Sequence, residues 1–219
     1  MHFEILVEDQ SGKRMLDVLV PKFIGTEHTC VVHAYKGIGH IPKDLRGKAD
    51  PSKRILLDRL PKLLRGHGKT FAGYGKDYHA AVVVVCDLDD KCLKVSRQEL
   101  LGVLNACNPK PNTRFCFAVE EGEAWFLGDL NAVRRAYPRA RDSVLHSYRN
   151  DEVCGTWEKL ADAVYPGGAA KLSGKGRQAV GKEKSRWAEA ITPHMDVSNS
   201  SSPSFCYFRD KLRELARRG

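Results

Sequence analysis

Apolar and polar residues follow two different periods along the chain, and together these periods predict an alternation of strands and helices. Apolar runs typical of buried strands occupy residues 3–8, 29–35, 78–86 and 114–119. Apolar residues that recur every three or four positions, as in amphipathic helices, occupy residues 12–23, 52–64 and 96–106. This alternation predicts an α/β fold with a mainly parallel sheet flanked by helices.

Two local signals indicate where these helices begin and end. Ser11 has a side chain suited to cap the helix over residues 12–23. Gly66-His67-Gly68 is expected to end the helix over residues 52–64.

The chain changes character after about residue 135. Residues 1–135 contain the predicted strands, whereas residues 136–219 are basic, helical in pattern and poor in strands. We therefore expect an α/β domain followed by a helical C-terminal extension packed on it. Lysines lie among the glycines that interrupt this extension, and they include Lys171, Lys175, Lys182 and Lys184.

Composition favours a polyanionic partner. The 219 residues carry a formal net charge of +9, and nucleic acid is the usual partner of such a chain, although many soluble proteins are this basic for other reasons. The lysines of the extension are thus expected either to follow a nucleic-acid backbone or to form one solvated helix face.

Cysteine usage and hydropathy bear on the compartment. No apolar run approaches the 18 residues of a membrane span, and the first residues lack the features of a signal peptide. The seven cysteines form no CxxC pair, which argues against a zinc ribbon. Free thiols suit a reducing environment, so we expect a cytoplasmic protein with no membrane partner.

The candidate chemistry begins where the third predicted strand ends. Val82-Val83-Val84-Val85-Cys86 leads directly into Asp87, Asp89 and Asp90. Two carboxylates two positions apart in an extended segment point the same way, and at 4 Å they repel by about 4 kcal/mol at an effective dielectric of about 20. Bound Mg²⁺ or Mn²⁺ removes that cost. The alternative is a strand that stops at a solvated acidic turn.

Acids also follow two other predicted strands, because Glu8 ends the first and Glu123 comes after the fourth. The carboxyl ends of parallel strands meet at one edge of a sheet, where ligands bind. We therefore expect these acids to cluster there, in a role in metal binding or proton transfer.

These acids resemble the signature of the TOPRIM fold, found in topoisomerases, primases and overcoming-lysogenization-defect nucleases. That signature is a Glu after the first strand and a DxD after a later hydrophobic strand. The chain is most similar to a small, poorly characterised bacterial TOPRIM-like family with five ordered segments. Their counterparts here are Val7-Glu8-Asp9, Lys36-Gly37-Ile38-Gly39, Asp87-Leu88-Asp89-Asp90, Glu123-Ala124-Trp125-Phe126-Leu127-Gly128-Asp129 and Ser202-Pro203-Ser204-Phe205.

One residue departs from the family pattern. Asp9 stands where the family has a glycine after the first Glu, which puts the tight turn there in doubt. Gly12 is the expected source of flexibility in its place.

The resemblance implies metal-dependent phosphodiester chemistry. It makes Asp87 and Asp89 the ligands of Mg²⁺ or Mn²⁺, and Glu8 the acid–base residue or a further ligand. Glu123 would complete a second metal site, or else it is an acid favoured by a helix N-terminus. Trp125 and Phe126 are expected in the core.

Lys36 lies in a glycine-containing loop with two open interpretations. The loop presents backbone N–H groups and an ammonium to a phosphate, or it is a plain surface turn. The missing Lys-Ser/Thr end excludes a Walker A motif.

Three functions compete. The first is a nuclease acting as a phage-defence effector, because relatives of this kind accompany ABC- or AAA-type ATPases. The second is a non-catalytic TOPRIM-like subunit that binds nucleic acid within an ATPase complex. The third is a haloacid-dehalogenase-like phosphatase, which Lys91 disfavours because that family has a small hydroxyl or branched residue at this place.

Overall fold

A computed structural model describes residues 1–47, 50, 52–75, 77–152 and 154–218, and in it the chain forms a four-stranded sheet with helices on both faces. All strands are parallel and follow the order β2-β1-β3-β4. Their bounds are β1 His2–Val7, β2 Thr29–Ala34, β3 Ala80–Asp87 and β4 Thr113–Ala118. The predicted α/β class and parallel sheet are confirmed, and each strand begins and ends within two residues of its predicted bounds.

Three helices connect the strands: α1 Gln10–Ile24, α2 Leu56–Gly73 and α3 Leu93–Asn105. The remaining helices follow β4. They are α4 Glu123–Leu127, α5 Leu130–Ala136, α6 Asp142–His146, α7 Thr156–Val164, α8 Gly168–Ser173, α9 Arg177–Ile191 and α10 Pro203–Ala216, with a short 3-10 turn over Thr192–His194.

The sheet separates two hydrophobic cores. Alternate residues of β3 point to opposite faces, so that Val83 and Val85 pack with α1 and the helices after β4, whereas Val82 and Val84 pack with α2 and α3. Along the sheet the chain passes from β1 outward to β2 and then returns to β3 on the other side of β1. The gap between the carboxyl ends of β1 and β3 is therefore the topological switch point, where ligands of such sheets bind.

The start of α1 differs from its prediction. Asp9, rather than Ser11, caps the helix, because Asp9 Oδ1 accepts from the backbone N–H of Gly12 at 2.7 Å. Asp9 itself is extended, with φ of −143°, so a glycine is not required there. A Cβ on Gly12 would lie 2.6 Å from Val7 Cγ2. Gly12 thus permits close packing of α1 on β1, and the expected role as a source of flexibility is wrong.

The predicted end of α2 is also wrong, since the helix continues through Gly66-His67-Gly68 to Gly73. Gly68 lies directly against the backbone carbonyl of Pro109, in a place with no room for a side chain. The glycine is required by tertiary packing and does not end the helix.

The helices after β4 share the core of α1 and are held there by Trp125. The buried indole stacks on Phe208 with ring centroids 5.0 Å apart, and its Nε1 donates to Ser204 Oγ at 3.0 Å. The carboxylate of Asp151 accepts from the backbone N–H of Ser204 at 2.6 Å. Trp125 and Phe126 are buried, as expected, and two of the five family-like segments pack on each other.

Within the described ranges, no helix has the length and apolar character needed to cross a membrane.

Candidate functional site

The acids that follow three strands lie together at the carboxyl edge of the sheet, beside the switch point. Glu8 follows β1, Asp87 ends β3 and Glu123 follows β4, and all three line one small cavity. Asp9, Ser11 and Lys184 also line this cavity, and its other walls are mainly apolar. The expected convergence of acids from three strands is therefore present, and a lysine from α9 joins it.

Glu8 is held at the end of β1 by its backbone, because its carbonyl accepts from the N–H of Gly37 at 3.0 Å. Its side-chain Oε2 is buried, and among the described residues it has no hydrogen-bond partner. Burial raises the pKa of Glu8 to about 7, and the neighbouring charges of Asp89 and Asp9 contribute to the rise. Glu8 is thus a carboxylate with unsatisfied hydrogen-bonding capacity.

Asp87 lies between Glu8 and Glu123. Burial raises the pKa of Asp87 well above its usual value, and repulsion from those two carboxylates adds to the shift. The backbone of Gly122 passes close to it, since a Cβ built there would lie 4.0 Å from Asp87 Oδ1. Three carboxyl groups in one cavity disfavour full ionisation, and a cation would relieve this.

Glu123 is the first residue of α4 and is almost fully buried, at 3% exposure. Its Oε2 lies 3.1 Å from Lys184 Nζ. Burial raises the pKa of Glu123 to about 7, although Lys184 opposes the rise. Glu123 therefore combines a helix N-terminal position with membership of the acidic cluster, so both of its interpretations stay open.

Lys184 does not share the exposed setting of the other lysines considered for nucleic-acid binding. Its Nζ lies 3.0 Å from Glu121 Oε1 and 3.1 Å from Glu123 Oε2, and its side chain is 14% exposed. Burial alone would lower the pKa of Lys184, but Glu123 and Glu121 raise it above its usual value. Lys184 is a permanent positive charge inside the acidic cluster, so it is not available to contact a phosphate backbone at the surface.

Asp89 does not continue the geometry of β3. The strand ends at Asp87, and Asp89 has a left-handed backbone with φ of 51°. Its side chain is exposed and lies 3.6 Å from Lys91 Nζ. The expectation that Asp87 and Asp89 form one extended pair is therefore wrong, although Asp89 still lies near enough to raise the pKa of Glu8.

Three backbone donors of the loop after β2 are already engaged by other groups of the chain. The N–H groups of Lys36, Gly37 and His40 donate to Arg54, Glu8 and Asp58 respectively. The Lys36 side chain is exposed, so it remains available to an anion, whereas these N–H groups are already engaged.

The other predicted lysines lie on the surface. Lys171, Lys175 and Lys182 are exposed, and Lys175 Nζ also bonds the hydroxyl of Tyr165 at 2.8 Å. These three keep the placement that nucleic-acid binding requires.

The donor chemistry of the cluster suits a divalent cation, but the side chains are not arranged around one. Hard carboxylate oxygens are the ligands that Mg²⁺ and Mn²⁺ prefer, and the partnerless Oε2 of Glu8 has lone pairs to offer. Across the part of the chain that the structure describes, no three His, Cys, Asp or Glu side chains are grouped so that they could hold a metal ion. Metal binding therefore requires side-chain rotation.

Two nearby acids were not identified from the sequence. Glu121 pairs with Lys184 across 63 positions of the chain, and Glu120 accepts the first backbone N–H groups of α7, including that of Thr156 at 2.7 Å. The run Glu120-Glu121-Gly122-Glu123 after the fourth strand could have indicated these acids from the sequence. No feature of the sequence identifies Lys184 as their partner.

Comparison with protein-family models, curated proteins and solved structures finds no match for this chain. The functional argument therefore depends on the residues themselves.

Proposed function

We propose that this chain is a Mg²⁺- or Mn²⁺-dependent nuclease that hydrolyses phosphodiester bonds of DNA or RNA. The observation that carries the proposal is the cluster of Glu8, Asp87 and Glu123 at the switch point of the sheet. The chain as a whole has a net charge of +9, so an acidic cluster within it is unusual for its composition. The acidic cluster suits a bound cation, and the basic remainder of the chain suits a polyanionic substrate.

Asp87 would hold the metal ion, with Asp89 joining it if its side chain turns inward, and Glu8 would stay free beside the ion as a proton acceptor. A bound divalent ion polarises a phosphoryl oxygen and lowers the pKa of water. The motif resemblance to TOPRIM enzymes supports the same assignment.

The protein's own groups supply charge and a proton acceptor. A pKa of about 7 for Glu8 suits a group that accepts a proton near neutral pH. Lys184 provides a fixed ammonium beside Glu123, where it offsets negative charge that accumulates on a reacting phosphate. Exposed Lys36, Lys171, Lys175 and Lys182 bind the flanking backbone.

A non-catalytic role is the second candidate, and two features favour it. The acids are not grouped around a metal position within the described ranges, and Lys184 already neutralises part of their charge. A TOPRIM-like subunit that binds nucleic acid in an ATPase complex would need neither cleavage nor metal. In both versions an ABC- or AAA-type partner and a role in phage defence follow from the motif resemblance alone, and a cytoplasmic location follows from the free thiols.

Cleavage assays on matched variants test the proposal. Labelled DNA and RNA, single-stranded and duplex, are incubated with the wild type in Mg²⁺, Mn²⁺ or EDTA. Asp87→Asn should lower the rate by at least about 100-fold, because it replaces a charged ligand with a neutral one of nearly the same size. Asp90→Asn is the control, since Asp90 is exposed, and it should cut like the wild type.

Three outcomes would count against a metal-dependent nuclease. Metal-independent cleavage, or equal rates for Asp87→Asn and the wild type, would show that the acidic cluster does not take part in catalysis. Tight binding of nucleic acid with no cleavage in either metal would favour the non-catalytic subunit.

A further inference from the structure

A second and larger cavity opens on the other face of the sheet. It has a volume of about 620 Å³ and lies between the loop after β2, α2 and α3. This volume is within the range of pockets that enclose small organic groups. None of the residues assigned above to catalysis or phosphate binding lines it except Asp87.

Asp87 connects this groove to the acidic cluster. It lines both the large groove and the small cavity that holds Glu8 and Glu123. Cys86 and Phe117, at the carboxyl ends of β3 and β4, also line the groove. A molecule lying in the groove would therefore have one end beside the candidate metal ligands.

The walls suit a flat apolar group flanked by negative charge. Apolar side chains from the loop, α2, α3 and β4 line the groove, namely Ile38, Ile41, Leu57, Leu100, Val103 and Phe117. Lys43 and Lys91 add positive charge, and both are exposed. Ser96 and Glu99 supply polar contacts. A nucleobase has an apolar face with polar edges, and its phosphates are anionic, so it matches each of these features.

We propose that the groove receives one unpaired nucleobase next to the scissile phosphate, and that single-stranded nucleic acid is consequently the substrate class. This inference rests on the proposed nuclease function and names the substrate for the same site. A base in a duplex would have to leave its stack before it could enter, so duplex should be a poor substrate.

Gly102 of α3 offers a direct test. It lines the groove, and within the described residues a Cβ built on it would meet no heavy atom within 4 Å. Gly102→Phe therefore adds a ring at the groove wall, with no clash at its Cβ. Gly102→Ala is the matched control, because it removes the same helical glycine and leaves the groove open.

Binding is measured by fluorescence anisotropy in EDTA, which separates it from cleavage. The probes are a short single strand, the same backbone carrying abasic residues only, and the corresponding duplex. The wild type and Gly102→Ala should prefer the strand with bases to the abasic strand by about tenfold. Gly102→Phe should lose this preference and bind both strands equally.

Comparing the nucleic-acid probes with and without bases distinguishes failure of the base pocket from failure of the nuclease proposal. If the wild type binds both strands equally, or if Gly102→Phe keeps the preference, the base pocket is refuted whether or not the protein cuts. If the wild type prefers the strand with bases and Gly102→Phe does not, but neither metal supports cleavage, the base pocket is supported and the nuclease function is refuted. Should Gly102→Phe fail to fold, Ser96→Phe, on α3 and in the same groove, takes its place.

Discussion

At the scale of single residues, Lys184 is the clearest case of a side chain whose position and partners could not be predicted from the sequence. Basic residues, Lys182 and Arg186, lie two positions away on either side and are exposed, so composition favoured a solvated or nucleic-acid-binding face for Lys184. Its actual partners, Glu121 and Glu123, lie far away in sequence. The convergence of Glu8, Asp87 and Glu123 was predictable, because each of these acids ends or follows a strand, but Lys184 belongs to no motif.

Lys184→Met should destabilise the fold by about 3 kcal/mol at pH 8, because it leaves the buried carboxylate of Glu123 and the half-buried carboxylate of Glu121 without their cation. The pKa of Glu123 is raised from 4.5 to about 7, so its ionisation costs folding free energy as pH rises through that interval. Lys184 offsets that cost, and the destabilisation should therefore be smaller at pH 5, where Glu123 is largely protonated. Urea denaturation in EDTA at both pH values measures the difference.

Lys182→Met is the control for this experiment, because Lys182 is exposed on the same helix. It should change the free energy of unfolding by less than about 0.5 kcal/mol. Equal effects of the two substitutions, or a larger destabilisation at pH 5 than at pH 8, would mean that the ion pairs of Lys184 do not stabilise the cluster.

At the scale of elements, the strands were predictable and the helix ends were not. A buried parallel strand must be apolar on both faces, so β3 stands out in the sequence as a continuous run. A glycine such as Gly68 can either end a helix or allow close contact with another segment, here Pro109. The local sequence is the same in both cases, so it could not predict where α2 ends. The cap of α1 was displaced by two residues for a similar reason, since Asp9 and Ser11 are both good caps.

The contact between α4 and α10 leads to a prediction about how the C-terminal helices are held. Ser204→Ala should lower the free energy of unfolding by about 1–2 kcal/mol, because it leaves the buried Nε1 of Trp125 without its acceptor. Ser201→Ala is the control, since Ser201 is exposed and bonds through its backbone. Equal stability of the two variants in a denaturant titration would show that the indole bond contributes nothing.

At the scale of the whole molecule, charge is divided between a buried acidic cluster and a basic surface. The convergence of Glu8, Asp87 and Glu123 could be predicted because parallel strands end at one edge. The groove beside Asp87 could not, because it depends on how the loop after β2 lies against α3. Net charge indicated a polyanionic partner but not which lysines are free to reach it.

The exposed lysines of the extension should carry part of the salt dependence of binding. Removing one lysine–phosphate ion pair with a single strand reduces the slope of log K against log salt by about 0.7. Replacing Lys171, Lys175 and Lys182 with Ala should therefore make the slope shallower by about 2, as measured by anisotropy over a salt series in EDTA. Replacing Lys22, Lys62 and Lys69, which are also exposed, removes the same charge from α1 and α2. If both triple variants flatten the slope equally, binding follows net charge alone and the extension is not the binding surface.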